Sequence, residues 1–177
     1  MNIARTDYVY GYHGCCQDVA DAVVSGKDVL LSSVNDYDWL GTGIYFWEDA
    51  PNRALEWAKN LFKDKAAVVG AKIKLGHCLN LMDVSAYKFL RDTYEALVDS
   101  QAELPKNGKY LHKLDCLVIN AATNIASNVC HNAYDTVRCP FIEGEPVFPG
   151  SKLYDLSHIQ IAVRNHEMIE ELFMVDL

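Results

Sequence analysis

Three short segments of this sequence carry side chains that could take part in chemistry. The first ends in a histidine followed by a glycine, His13 and Gly14. In the second, two glycines precede an aromatic run that contains Tyr45, and the third carries His158 and Gln160. An imidazole can exchange a proton near neutral pH, and an aromatic face can hold a flat cationic ring. Taken singly, a histidine at a strand end or a tyrosine in an aromatic strand is more often structural. The order and spacing of the three segments therefore have to decide whether these residues are structural or functional.

The cysteines could be paired as three disulfides, but the sequence favours reduced thiols and no structural metal. There are six, Cys15, Cys16, Cys78, Cys116, Cys130 and Cys139. None lies in a C-x-x-C pair, and His77 with Cys78 lacks a second pair at zinc-site spacing. A chain of this length and apolarity does not need disulfide staples, so we expect reduced thiols and no metal. The sequence also lacks a G-x-x-x-x-G-K loop of the kind that holds nucleotide phosphates.

Composition predicts one globular domain over residues 1–177, since half of the residues are hydrophobic and no low-complexity tract interrupts them. The formal net charge of -8 disfavours sequence-blind binding to phosphate backbones, which needs a surplus of Lys and Arg. It leaves open an enzyme that acts on nucleic acid through a local basic patch. We find neither an apolar run of ~20 residues nor a secretory signal, and we therefore expect a cytoplasmic protein with no membrane partner.

Apolar periodicity predicts the elements that position these segments. Strands are predicted at residues 8–13, 44–47, 66–75, 79–82, 136–142 and 159–163. Helices are predicted from Asp18, from Pro51, from Ser85 and over residues 117–129, with Asp18 and Ser85 as N-caps. Hairpin-length connections outnumber strand-helix-strand units. The sequence therefore predicts an α+β fold of mostly antiparallel strands.

The order and spacing of the segments resemble the poly(ADP-ribose) polymerase and diphtheria-toxin-like ADP-ribosyltransferases. The resemblance rests on Tyr12-His13-Gly14-Cys15, Val24-Ser25-Gly26, Leu30-Leu31, Leu40-Gly41-Thr42-Gly43-Ile44-Tyr45-Phe46 and Gln160-Ile161-Ala162-Val163-Arg164-Asn165. These pieces cover about a third of the chain, and the middle third matches nothing diagnostic. The resemblance implies split antiparallel β-sheets flanked by helices, with NAD bound as co-substrate in a cleft between the sheets.

The resemblance also implies roles for the residues that match. His13 would hydrogen-bond the adenine-side ribose, the backbone of Gly14 would hold the carboxamide, and Tyr45 would stack on the nicotinamide ring. A glycine suits its role because it has no Cβ to keep a flat amide away from the backbone. Stacking of an aromatic face on a cationic ring is worth ~0.5–2 kcal/mol.

Four further residues are candidates for the same cleft. Cys15 stands where the polymerases usually have a serine, and a thiol is the weaker hydrogen-bond donor. Gly43 belongs to the glycine motif before Tyr45. Ser33 could line the cleft, although a solvated turn explains it equally well. Trp57 is one helical step from a second stacking tyrosine of the polymerases, but its place near the apolar stripe of its helix favours a core role.

The sequence departs from the family pattern at Gln160, where the resemblance implies a catalytic glutamate. An amide can orient the ribose hydroxyl but offers no full charge to the developing oxocarbenium ion. His158 suits either a general base for the acceptor or a surface position on an edge strand. Glu143 and Glu145 could supply a carboxylate from the preceding loop or be solvated charges. Arg138 suits either a phosphate or a structural ion pair.

We therefore expect an NAD-dependent mono-ADP-ribosyltransferase that releases nicotinamide and modifies a macromolecular acceptor, which could be protein, RNA or DNA. By analogy with small members of the group, it could be a bacterial or phage-related toxin with a neutralising partner protein. Two alternatives remain open, an NAD glycohydrolase and a catalytically silent module that binds NAD or ADP-ribose.

Overall fold

Seven strands pair in the order β4-β5-β6-β2-β1-β3-β7 in the computed structural model, which describes residues 8–101 and 103–177. The strands are β1 (Tyr8–Cys16), β2 (Ile44–Glu48), β3 (Ala66–Lys74), β4 (Cys78–Asn80), β5 (Thr136–Phe141), β6 (His158–Val163) and β7 (Ile169–Met174). The α-helices are α1 (Gln17–Val24), α2 (Pro51–Phe62), α3 (Ala86–Asp99) and α4 (Lys113–Asn128). Short 3-10 turns at Lys63–Lys65 and His166–Met168 lead into β3 and β7. The chain has an α+β fold.

All strand pairs are antiparallel except β4 with β5, which run parallel. The parallel pair needs a long crossover, and α3 and α4 provide it between β4 and β5. The centre of the sheet is β6-β2-β1, so the three segments singled out in the sequence lie on neighbouring strands.

The helices cover both faces of the sheet. On one face, which we call the α1 face, Ala20 and Val23 of α1 pack against sheet residues that include Phe46 and Ile161. On the opposite face, α2 packs through Ala54 onto Trp47 and Val68, while α4 packs through Ile119 onto a separate apolar cluster. The α1 face holds the larger apolar cluster, and the opposite face is divided between α2 and α4.

The predicted elements are confirmed, with three corrections. Strand β1 runs directly into α1, so the N-cap is Cys16, and Asp18 lies inside the first turn instead of capping it. Ser85 is the N-cap of α3, but its side chain makes no capping hydrogen bond. Strand β7 was not predicted, because Ile169-Glu170-Glu171-Leu172-Phe173-Met174 does not alternate between apolar and polar residues. It lies at the edge of the sheet, beside β3.

Within the described ranges 8–101 and 103–177, none of the helices has the length and apolarity that crossing a lipid bilayer requires.

Candidate active site

His13, Tyr45 and Gln160 lie on β1, β2 and β6, the three central strands of the sheet. Tyr12 pairs with Trp47 across β1 and β2, and Trp47 pairs with Gln160 across β2 and β6. The register therefore aligns residues that are more than 100 positions apart in the sequence.

Strands β1 and β2 stop pairing at His13, and we call this point, where the His13 ring lies between the two strands, the fork. They are paired at Gly11–Glu48 and at Tyr12–Trp47. Beyond this point the His13 side chain spans the distance between the strands, because its Nδ1 lies 2.8 Å from the Tyr45 carbonyl oxygen. A carbonyl oxygen only accepts, so Nδ1 carries the proton and Nε2 keeps a lone pair. Burial lowers the pKa of His13, although the bond to Tyr45 partly opposes this. The imidazole is therefore a neutral acceptor through Nε2 at pH 7.

The side chains at the fork lie on both faces of the sheet. Side chains alternate along a strand, so pairing of Tyr12 with Trp47 places His13 on the same face as Phe46. Their ring centroids are 5.7 Å apart. Tyr45 and Gln160 belong to the opposite face. The His13 side chain and the side chains of Tyr45 and Gln160 therefore lie on opposite faces of the sheet, and His13 reaches Tyr45 only through its backbone carbonyl.

The Tyr45 hydroxyl makes two hydrogen bonds, which the stacking role expected for this residue does not require. Its hydroxyl donates to the Gly41 carbonyl at 2.7 Å and accepts from the Leu40 N–H at 3.0 Å. The ring packs against the apolar cluster around Leu40 and Ile119. Burial raises the pKa of Tyr45 above its ordinary value. The hydroxyl therefore fixes the loop before β2, and a ligand would meet the ring alone.

The two glycines proposed for the cleft have packing roles in this structure. A Cβ on Gly14 would clash with the Ala54 carbonyl oxygen and would lie 3.2 Å from Trp57, so Gly14 permits the close approach of α2. A Cβ on Gly43 would lie 3.0 Å from the Val163 carbonyl oxygen, which places β6 tightly beside it. Packing therefore favours glycine at both positions, most strongly at Gly14, whether or not a ligand binds.

The other cleft candidates are placed less favourably for a ligand. Cys15 is 5% exposed inside the apolar cluster of the α1 face, and burial raises its pKa to about 11. The Ser33 hydroxyl donates to the Asp38 carboxylate. Trp57 is 40% exposed, and its ring centroid lies 5.7 Å from that of Trp47. Trp57 therefore remains available at the surface of α2, whereas Cys15 is part of the core.

Gln160 is the centre of a continuous chain of hydrogen bonds, which we call the Gln160 array. The Trp39 indole donates to Gln160 Oε1 at 2.6 Å. Gln160 Nε2 lies 3.1 Å from His158 Nε2, and His158 Nδ1 lies 2.7 Å from the Leu156 carbonyl oxygen. Since that carbonyl only accepts, the His158 proton is on Nδ1, and Nε2 accepts from the Gln160 amide.

The side chain of His158 is buried, and both of its ring nitrogens have partners. Its side chain is only 2% exposed, because β6 is an interior strand between β5 and β2. The surface position on an edge strand considered above is therefore wrong. Burial lowers the pKa of His158, as does the neighbouring Arg53, while its backbone bond and Glu143 act in the opposite direction. A neutral His158 cannot accept another proton at Nε2 unless Gln160 moves away.

Sequence reasoning missed Arg53, which joins α2 to this part of the site. One of its terminal nitrogens lies 2.7 Å from Glu143, and the other lies 2.6 Å from Glu56. Glu143 in turn lies 3.8 Å from His158 Nδ1, so it is an ion-paired carboxylate and not a freely solvated loop charge. No pattern in the sequence links residues 90 positions apart. The loop and α2 meet only in the folded chain.

Two buried donors beside the Gln160 array have no hydrogen-bond partner among the residues that the structure describes. They are the Arg53 Nε–H and the indole N–H of Trp47, a residue only 6% exposed. The Trp47 ring centroid lies 6.2 Å from that of His158. Buried donors without partners are uncommon, and they are satisfied by an acceptor such as water or a ligand oxygen.

Arg138 and Glu145 do not join the array. Arg138 donates from two nitrogens to the Glu48 carboxylate, both at 2.6 Å, which is the ion-pair alternative considered for it. Glu145 is exposed, and its backbone N–H donates to Asp155.

Two concavities lie beside this region but are not lined by His13, Tyr45 or Gln160. One, of about 420 Å³, lies between α3, α4 and the sheet, and its walls include Trp39, Tyr87 and Leu114. The other, of about 360 Å³, lies between α1 and β7. Trp39 both lines the first concavity and bonds Gln160, so that concavity reaches the array.

Among residues 8–101 and 103–177, no cluster of three His, Cys, Asp or Glu side chains is arranged to hold a metal ion. Comparison of the chain with known protein families finds no family model that matches, and comparison with curated proteins finds no match either.

Proposed function

We propose that the chain is an NAD-dependent mono-ADP-ribosyltransferase, with its active site at the fork between β1 and β2. The observation that carries this proposal is the placement of His13, Tyr45 and Gln160 on three adjacent strands. These residues lie in the segments that resemble the ADP-ribosyltransferases, and the His13 ring contacts the backbone of Tyr45 directly. The split-sheet arrangement of that family is part of the proposal, and the limited pairing of β1 with β2 supports it.

The residues at the fork and in the Gln160 array have hydrogen-bonding capacity that suits NAD. His13 offers the Nε2 lone pair to a ribose hydroxyl, because Nδ1 is committed to Tyr45. Gln160 uses one lone pair and one N–H within its array, which leaves one of each for a ribose hydroxyl. The Tyr45 ring supplies an aromatic face. The packing of α2 on Gly14 makes the backbone of that residue the weakest part of the fit.

Bound NAD would supply a glycosidic bond that breaks with loss of nicotinamide and growth of positive charge on the ribose. Gln160 would orient the ribose hydroxyl without a formal charge, so it stabilises that cation less than a carboxylate would. Slow cleavage favours a single transfer over chain elongation. The chemistry needs no metal.

The acceptor in this proposal is a macromolecule, protein, RNA or DNA, and the enzyme acts in the cytoplasm. The formal charge of -8 favours an acceptor that does not depend on a broadly basic surface. The analogy with small toxins of the group adds a neutralising protein partner to the proposal.

Calorimetric titration with NAD, nicotinamide and ATP tests binding first. We expect NAD and nicotinamide to bind and ATP to fail, with His13→Ala as the matched variant that loses NAD affinity. Absence of heat with both NAD and nicotinamide would overturn the proposal.

Catalysis is tested by nicotinamide release and by transfer of label from radioactive NAD to the protein and nucleic acid of a cell extract. Transfer supports the proposed function. Nicotinamide release without transfer would instead identify an NAD glycohydrolase. Binding without release would identify a silent NAD-binding module, which is the alternative that the neutral Gln160 array favours.

A further inference from the structure

The Gln160 array is directional, because its two ends can bond in only one way. At one end, an indole N–H is a donor without acceptor capacity, so Trp39 must face the amide oxygen of Gln160. At the other end, the Leu156 carbonyl fixes the proton on His158 Nδ1, so His158 Nε2 must face an N–H. Only a side chain with an acceptor on one side and a donor on the other fits between them.

A glutamate at position 160 does not meet this requirement. Its carboxylate would accept the bond from Trp39, but its second oxygen would face the lone pair of His158 Nε2. Two acceptors in contact repel each other unless the imidazole takes up a proton. The structure around position 160 is therefore complementary to an amide.

We propose that Trp39 and His158 select glutamine at position 160, and that Trp39 is a positioning residue that turns the Gln160 amide nitrogen towards His158. The neighbouring side chains then match glutamine specifically, and Gln160 does not merely mark the loss of a catalytic glutamate. The hydrogen-bond arrangement holds whether or not NAD binds. Its consequence for turnover rests on the proposed function.

Aromatic and charged side chains around His158 influence the pKa that a titration of this residue would measure. Trp47 of β2 and Phe141 of β5 face it with aromatic rings, whose centroids lie 6.2 Å and 5.5 Å away. The charged groups that face it are Glu143 of the preceding loop and Arg53 of α2. These two charges pair with each other at 2.7 Å, and neither is altered in the variants below.

The first experiment follows the imidazole signals of His158 by NMR as a function of pH in the NAD-free protein. In the unaltered chain, His158 should be the Nδ1–H tautomer. It should remain neutral when the pH falls below ~6.5, the ordinary pKa of histidine. Gln160→Glu should raise the pKa of His158 by about one to three pH units, because a carboxylate favours the imidazolium form. The signals of His77, a half-buried histidine stacked on Tyr134, serve as the internal reference, because neither variant alters a residue that it contacts.

The second variant, Trp39→Phe, keeps an aromatic ring against Phe141 but removes the donor to Gln160. The amide is then free to present its oxygen to His158, so the pKa of His158 should rise, by less than in Gln160→Glu. An unchanged His158 titration in both folded variants, or the Nε2–H tautomer in the unaltered chain, would overturn the proposal.

Turnover separates this inference from the proposed function. If the chain cleaves NAD, Trp39→Phe should lower kcat more than it changes KM, and Trp39→Phe/Gln160→Ala should be no slower than Gln160→Ala alone. Additive losses would contradict a positioning role. If no NAD binds and the His158 titrations behave as described, the proposed function fails while the inference about position 160 stands.

Discussion

Replacement of Arg138 with methionine tests whether this side chain stabilises the fold or binds a ligand. Arg138 donates to both Glu48 oxygens at 2.6 Å, and the two side chains are only 17% and 7% exposed. The substitution leaves the Glu48 carboxylate buried without this partner, and breaking a buried pair costs about 3–5 kcal/mol. We expect about 3 kcal/mol, because Arg138 is not fully buried. For a domain of this size the melting temperature should fall by about 6–12 °C.

Thermal melts followed by circular dichroism provide the assay, with Glu48→Met/Arg138→Met as the matched control. Replacing both partners by apolar side chains removes the unpaired charge, so the double variant should regain most of the lost stability. NAD affinity, measured by calorimetry well below the melting range, should be unchanged in Arg138→Met. A variant that melts like the unaltered chain but no longer binds NAD would refute this reasoning and assign Arg138 to a phosphate.

Four further predictions concern the fork and the Gln160 array. His13→Ala should abolish or strongly reduce nicotinamide release while circular dichroism shows a retained fold; unfolding at room temperature would mean that the imidazole is structural. Tyr45→Phe keeps the ring but removes two hydrogen bonds to the loop, so urea denaturation should show a loss of about 1–3 kcal/mol with NAD affinity little changed. Gln160→Ala should slow turnover by about one to two orders of magnitude, since an unpaired ribose hydroxyl costs roughly 1–3 kcal/mol; a silent Gln160→Ala beside an inactive Glu143→Ala would move the catalytic role to the loop. Finally, burial lowers the pKa of His13 and His158, so the unfolded chain binds more protons, and urea denaturation should show stability falling as pH drops from ~6.5 towards 5.5.

The central strands could be predicted from the sequence because local composition dominates there. Ile44–Glu48 is apolar and aromatic, and its position after two glycines leaves little alternative to a strand. Ala66–Lys74 is similarly clear. Strand β7 escaped prediction because its two consecutive glutamates break the alternation. Its pairing with β3 is a tertiary effect that overrides local pattern.

The candidate site could be predicted only in part. Motif spacing placed His13, Tyr45 and Gln160 on strands, and the register aligned those strands. It did not show that the Tyr45 hydroxyl would be committed to the loop before β2. Nor did it reveal Arg53, whose partner Glu143 lies 90 residues away and reaches it only because α2 packs against the opposite face of the sheet.

The charges and dipoles around Gln160 determine the rate that we expect for the proposed reaction. Glu143 is the carboxylate that approaches the Gln160 array, but it is separated from Gln160 by the His158 ring and is neutralised by Arg53. Positive charge that develops beside Gln160 would therefore meet dipoles and a paired charge, not a free anion. Preorganised dipoles still stabilise a transition state, although less than a correctly placed charge. Under the proposed function, this arrangement predicts slow cleavage of NAD and a single transfer, and it does not require that the site be inactive.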